Sequence, residues 1–301
     1  MKNRLCHIAL GAAVAAVLAL GTAHAADTRL YPDSKLVERD RFSDEIVGHG
    51  PDLVFIPGLA SSRATWKATA DRLKADHRLH LIQLAGFAGE PARGNAAGAV
   101  LVPTAEAIDA YLVEQRLTPA VAIGHSMGGT MLLYLAAHHG DHYKKVLIVD
   151  ALPFFGVLMA GPGATSDSIK PIADGVRASA AAPPDPQREA QNNQMIMSMV
   201  TAPADQQTVL GWGKASDRTV VLDAMADDMQ LDLRADFPAI KVPVTLLYPD
   251  NGAPAQMDPF YQAAYASVPN KTLIRIDRSR HFIMLDQPAQ FDAALDAFLK
   301  S

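Results

Sequence analysis

Val121-Ala122-Ile123-Gly124-His125-Ser126-Met127-Gly128-Gly129 joins an apolar run, a Gly-x-Ser-x-Gly turn and the start of a helix that reaches His138. A Gly-x-Ser-x-Gly pentapeptide alone is common. Placed directly after a strand and directly before a helix, it meets the structural condition for a nucleophile elbow. The reason is steric. The serine must occupy a tight, strained turn so that its hydroxyl stands clear of the sheet, and flanking glycines let neighbouring backbone pass close by. The helix beginning at Met127 points its amide dipoles toward the same spot.

Strand-like and helix-like runs alternate on both sides of this turn. Upstream, Asp52 to Ile56 reads as a buried strand ended by Pro57-Gly58. Ser61 to Ala75 reads as a helix capped by Ser61 or Ser62. Leu79 to Leu84 is a second strand, followed by a Gly-rich loop from Ala85 to Gly98 and a helix from Thr104 to Leu117. Ala120 to Ile123 is the strand before the elbow. Downstream, Lys145 to Val149 is a strand. Residues 153–235 then show no convincing strand and are broken into helical pieces at Pro183-Pro184-Asp185-Pro186. The alternation resumes with a strand from Val242 to Tyr248, a helix from Asp258 to Val268 and a strand from Leu273 to Ile276, whose Arg275 suits a place near the sheet edge. Pro288 to Lys300 closes the chain as a helix with Phe291, Leu295, Phe298 and Leu299 on one stripe. The expected fold class is α/β: a mostly parallel central sheet flanked by helices, with a helical lid (about residues 153–235) inserted after the strand that ends at Asp150. In such sheets ligands bind beyond the carboxyl ends of the strands.

A serine hydroxyl needs a base to take its proton. His281, in Asp277-Arg278-Ser279-Arg280-His281-Phe282, follows the last strand and can reach the rim that carries Ser126. His125 adjoins the serine, but its side chain is expected to point away from the reacting face. His138, His139 and His142 read as exposed polar residues at the far end of the elbow helix, with a metal site as the alternative. His49, His77 and His80 read as surface or core residues. Phe154, Phe155, Met159, Met195, Met197, Met199 and Trp212 are candidates to line an apolar cavity, with ordinary core as the simpler reading. No pattern near the elbow suggests a charged specificity pocket.

From about residue 45 to 300 the chain resembles the α/β-hydrolase superfamily, in particular its compact lidded serine hydrolases and esterases. The resemblance rests on Pro57-Gly58-Leu59, Gly86-Phe87, the elbow, and Ser279-Arg280-His281-Phe282 followed by Asp286-Gln287-Pro288, in the family's order. It implies a Ser-His-Asp triad of Ser126, His281 and an aspartate. It also implies an oxyanion hole from the backbone N–H groups of Leu59 and Met127. Many relatives carry His-Gly where this chain has Pro57-Gly58, a departure that leaves the backbone donor intact. The family's usual slot for the acid holds Gly252 here. Asp150, at the end of the strand after the elbow helix, is favoured, with Asp250 as the alternative; Asp258 falls at an expected helix start.

The first residues have the three-part layout of a secretory signal peptide. Lys2 and Arg4 precede an apolar run over residues 8–21, and Ala23-His24-Ala25 offers small residues at a cleavage site. The apolar run is shorter than the roughly 20 residues that a membrane span needs. Cleavage after residue 25 leaves 276 of the 301 residues and takes the formal charge from −5 to −7, because Lys2 and Arg4 depart. The single cysteine, Cys6, departs too, so disulfide and thiol chemistry are excluded from the mature chain. Periplasmic or secreted localisation follows. An acidic balance offers no electrostatic grip on nucleic acid.

The expected function is cleavage of a carboxylic ester, or a lactone, through an acyl-enzyme. The reaction needs no metal or organic cofactor, and its partner is a small molecule. The alternatives are amide, peptide or carbon–carbon hydrolysis or perhydrolysis by the same triad, and a non-catalytic binding protein on the same fold. The sequence does not set the oligomeric state.

Overall fold

The computed structural model describes residues 28–183 and 185–301; the expected signal peptide, residues 1–25, lies outside the described residues. Eight strands form one sheet: β1 (Lys35–Glu38), β2 (Phe42–Gly48), β3 (Asp52–Ile56), β4 (Arg78–Leu84), β5 (Ala120–His125), β6 (Tyr143–Val149), β7 (Val244–Pro249) and β8 (Lys271–Ile276). Their lateral order is β1-β2-β4-β3-β5-β6-β7-β8. From β4 to β8 every pairing is parallel; β1–β2 and β2–β4 are antiparallel. The register matches Ile56 with Gly124 and His125 with Val149. The carboxyl ends of β3, β5 and β6 therefore reach one rim together.

Alternation along the central strands splits the core in two. Leu53, Phe55, Ile123, Leu147 and Leu247 face one side, against Trp66, Phe291, Leu295 and Phe298. Val54, Ile56, Ala122, Ile148 and Leu246 face the other, against Ile108, Leu112, Met131 and Leu135. Eleven α-helices complete the described residues: α1 (Lys67–Leu73), α2 (Leu101–Glu114), α3 (Met127–His138), α4 (Val157–Ala160), α5 (Ser166–Ala178), α6 (Pro186–Ser198), α7 (Pro203–Ala215), α8 (Arg218–Gln230), α9 (Pro254–Ala264), α10 (Ile283–Asp286) and α11 (Pro288–Lys300).

The helix expected over 61–75 begins as a short 3₁₀ turn, Arg63–Trp66, with the Ser62 side chain accepting from the Ala64 amide. β8 is an edge strand, which places Arg275 in ion pairs with Asp258 and Asp277. α9 begins at Pro254, so Asp258 sits inside it and not at its start.

α4 to α8 all lie between β6 and β7. The proline-rich break is resolved at Asp185, which caps α6 by accepting from the Gln187 amide, with Pro186 in the first turn. α8 is tied to the sheet side of the molecule at several points. The Asp217 amide donates to Gly86 O at 2.7 Å. Asp227 accepts from the Val100 and Leu101 amides at 2.6 and 3.1 Å, and pairs with Arg177 of α5 at 2.5 Å.

Two features were not expected. β1 and β2 are strands, although β2 carries Ser43, Asp44 and Glu45 fully buried. Each acid has partners: Asp44 Oδ2 lies 2.7 Å from His80 Nδ1 and accepts from Tyr111 at 2.8 Å, and Glu45 accepts from the Leu30 and Tyr31 amides. Lys145, near the start of β6, is only 5% exposed; its ammonium donates to the carbonyls of Phe298, Leu299 and Ser301 at the end of α11.

Candidate active site

Ser126 occupies the turn between β5 and α3 with φ 53° and ψ −126°, outside the regions that non-glycine residues favour. The turn is over-determined by its surroundings. The Ser126 amide donates to Val149 O at 2.9 Å, and Ser126 O accepts from the Thr130 amide at 2.9 Å. Gly128 must be glycine, because a Cβ there would lie 2.5 Å from Ile56 O. Strain of this kind persists only where neighbouring structure imposes it, and it holds the side chain up from the sheet. The hydroxyl does not cap α3, and among the described residues it has no hydrogen-bond partner. The structure thus does not join Ser126 to His281 by a direct hydrogen bond. Without a ligand such bonds are often long and tighten when substrate binds.

His281 is brought to the same rim. Its Nδ1 lies 2.6 Å from Asp150 Oδ2, with the imidazole 25% and the carboxylate 10% exposed. The Nδ1–H donates, which leaves Nε2 as the nitrogen available to accept a proton. Asp150 sits just past β6 with φ 50°, its amide donating to Leu247 O at 2.8 Å. Its second oxygen accepts from the hydroxyl of Tyr261 on α9. Tyr261 does not emerge from sequence reasoning; a tyrosine one helix beyond the next strand carries no local mark of this contact.

Asp250 is held elsewhere. It accepts from the Arg278 amide at 2.8 Å and the Gly252 amide at 3.1 Å, tying the loop after β7 to the loop that carries His281. Burial alone would raise its pKa, but the amides of Arg278, Gly252 and Ser279 outweigh burial and hold it below the usual carboxylate range. Of the two candidate acids, the structure brings only Asp150 to the histidine.

His125 points beneath the rim, as expected, and there it braces the loop. It is fully buried, its Nε2 donates to His281 O at 3.1 Å, and the two rings are 4.5 Å apart. Burial, aided by the field of His281, holds its pKa well below the ordinary imidazole value, so the ring is neutral. Gly58 passes directly over this pair: an added Cβ would lie 2.9 Å from Ser126 Cβ and 3.1 Å from His125 Nδ1. The loop from β3 therefore lies against the elbow, with Leu59 next in chain. Neither the Leu59 nor the Met127 amide donates in a loop or cap hydrogen bond of the described residues.

Comparison with known proteins agrees with this layout. A model of the alpha/beta hydrolase family matches residues 53–294. The chain belongs to the alpha/beta hydrolase family. A pimeloyl-(acyl-carrier protein) methyl ester esterase of Vibrio atlanticus is 34% identical over 110 residues, 36% of this chain and 40% of that protein. Its counterpart from Vibrio cholerae is 30% identical over 130 residues, 43% of this chain and 48% of that protein. The chain thus matches less than half the length of these curated relatives. A solved hydrolase from Pseudomonas aeruginosa superposes with a TM-score of 0.71 at 17% identity, covering 90% of this chain and 99% of that one. An enol-lactonase from Burkholderia xenovorans does so with a TM-score of 0.69 at 16% identity, covering 86% and 96%. At these identities the superpositions speak for the fold.

Within this α/β hydrolase, α6 to α8 supply residues around the rim. The Phe282 amide donates to Met199 O at 3.2 Å, and Trp212 stands 6.4 Å from the Phe282 ring. Phe154 instead packs in a separate cluster with Ile169, Ala226 and Met229, and Phe155 lies against it. Met197 receives a contact from Gln207. Met159 and Met195 are 44% and 47% exposed, so they line no enclosed cavity; the helices that carry them turn those positions outward.

One buried acid near the elbow does not emerge from the sequence. Asp228 of α8 is 7% exposed, and its Oδ1 has no partner among the described residues. Burial pushes its carboxyl up to about 7, against opposing pulls from the Thr130 hydroxyl and the charge of His281. Thr130 lies on α3, one turn after Ser126. An aspartate in a helical stretch rich in polar residues gives no local sign that it faces inward.

Proposed function

We propose that the chain is an exported serine hydrolase that cleaves carboxylic esters, lactones included, with Ser126, His281 and Asp150 as its catalytic residues. The observation that carries this reading is the 2.6 Å contact of His281 Nδ1 with Asp150, on the rim where the strained elbow presents Ser126. His281 Nε2 takes the Ser126 proton as Oγ attacks the carbonyl carbon. Asp150 fixes the imidazole tautomer and stabilises the imidazolium. The amides of Leu59 and Met127 receive the oxyanion, each such donor being worth on the order of 10²–10³ in turnover. The imidazolium then protonates the leaving alcohol, and water, activated by the same nitrogen, releases the acid from the acyl-enzyme.

Ester chemistry is favoured over amide, carbon–carbon or peracid chemistry by the activity for which the Vibrio relatives are named, methyl ester cleavage. The helices between β6 and β7 serve in this reading as a lid over the rim. Export rests on the layout of residues 1–25. The test is labelling with a fluorophosphonate probe, followed by a panel of esters of graded chain length beside amides and lactones. The native protein should be modified at Ser126, and Ser126→Ala should not. Unlabelled native protein would favour a binding role on the same fold.

A further inference from the structure

At the end of α3 far from Ser126, four side chains meet that the proposed reaction does not use. Glu106 and Asp109 lie one turn apart on α2. His139 precedes and His142 ends the short turn that joins α3 to β6. His142 Nδ1 is 2.9 Å from Asp109 Oδ2, and His139 Nε2 is 3.0 Å from Glu106 Oε2. The two imidazoles stack with 7° between their planes and 5.6 Å between centroids. One donor atom each from Asp109, His139 and His142 falls within 4.8 Å of the other two.

Two separate His–carboxylate pairs would need no such convergence. Each carboxylate also has an orienting phenol: Tyr143 donates to Asp109 at 3.0 Å and Tyr134 to Glu106 at 2.7 Å. Outer partners of this kind fix the direction of metal-binding carboxylates. Among the described residues neither acid pairs with a lysine or arginine, so the cluster holds two negative charges without a permanent cation. Asp109 is buried, while the imidazoles are about one-third exposed (32% and 30%), which gives a cation access from solvent.

We propose that Asp109, His139 and His142, joined by Glu106, bind a divalent transition metal, with Zn²⁺ as the representative ion. Two imidazoles with carboxylates and no thiolate suit zinc, nickel or copper. Tetrahedral zinc at about 2.0–2.2 Å from each ligand sets its donors roughly 3.3 Å apart. A swing of the partly exposed imidazoles would close the remaining gap. The ion would clamp α2 to the junction of α3 and β6, and it takes no part in the chemistry at Ser126.

Titration calorimetry should test this on the full chain, produced without a histidine tag and stripped with a chelator. Zn²⁺ should bind at one site per chain and raise the melting temperature by several degrees. The double variant His139→Gln, His142→Gln should keep its esterase activity and lose at least tenfold in Zn²⁺ affinity. His142→Gln gives an independent reading. Cu²⁺ on the native protein should show coupling to two imidazole nitrogens in its electron paramagnetic resonance spectrum, and to one in the variant. No stoichiometric site, a site unchanged in the double variant, or equal coupling in both proteins would overturn the proposal.

Discussion

Asp150 and Asp250 are both strand-end aspartates, yet their neighbours give them different work. Asp150 accepts from an imidazole and a phenol; Asp250 accepts from backbone amides. Asp150→Asn keeps the shape but cannot hold the Nδ1–H tautomer, and turnover should fall about 10⁴-fold. Asp250→Asn loosens only the loop behind the histidine and should cost far less; steady-state kinetics of the two variants decides, and the reverse ranking would move the acid to Asp250. Asp228 makes a different prediction. With its folded pKa near 7 and an ordinary value of 3.8, the native state holds a proton that the unfolded chain gives up. Stability therefore falls as pH rises between those values, and the penalty is complete above about pH 7. It reaches up to about 4 kcal/mol, at 1.36 kcal/mol per pKa unit. Asp228→Asn removes the charge, so its melting temperature relative to the native protein should climb from pH 5 to pH 8. A difference that does not change with pH would show that the carboxyl is not held protonated.

His80 of β4 links three strands, since its ring nitrogens meet Asp44 of β2 at 2.7 Å and Asp52 of β3 at 3.1 Å. It thus joins the antiparallel edge to the parallel body. His80→Ala strands a buried carboxylate and should destabilise by about 3 kcal/mol, measured by urea unfolding. The same network explains what could and could not be read in advance. The six parallel strands announce themselves as apolar runs, and the sharp transition from β5 to α3 marks the nucleophile. β2 does not announce itself, because Ser43, Asp44 and Glu45 interrupt its apolar pattern and are stabilised by partners distant in the chain. α2 starts at Leu101 and not at the expected Thr104 for a similar reason: the cap on Val100 and Leu101 comes from Asp227, more than 120 residues away. Pro254, by contrast, is a local signal for the start of α9. In the candidate site, Ser126 and His281 were legible by their place after strands. The choice between Asp150 and Asp250 was not, since it depends on where the histidine loop folds back.

The whole chain carries its only cysteine at position 6, within the expected leader. If the leader is cleaved as proposed, intact-mass analysis of exported protein should find an N-terminus at Ala26, and a chain still beginning at Met1 would refute processing. What remains then depends on packing and buried polar contacts, with no covalent cross-link. Lys145 shows how such contacts span the molecule. The strand near whose start it lies leads directly into Asp150, and the helix whose last carbonyls it grips follows the loop of His281. Fraying of the end of α11 would thus be felt where Asp150 meets His281. A fusion appended at Ser301, or loss of the last residues, should therefore lower esterase turnover, however remote the change looks on a linear map.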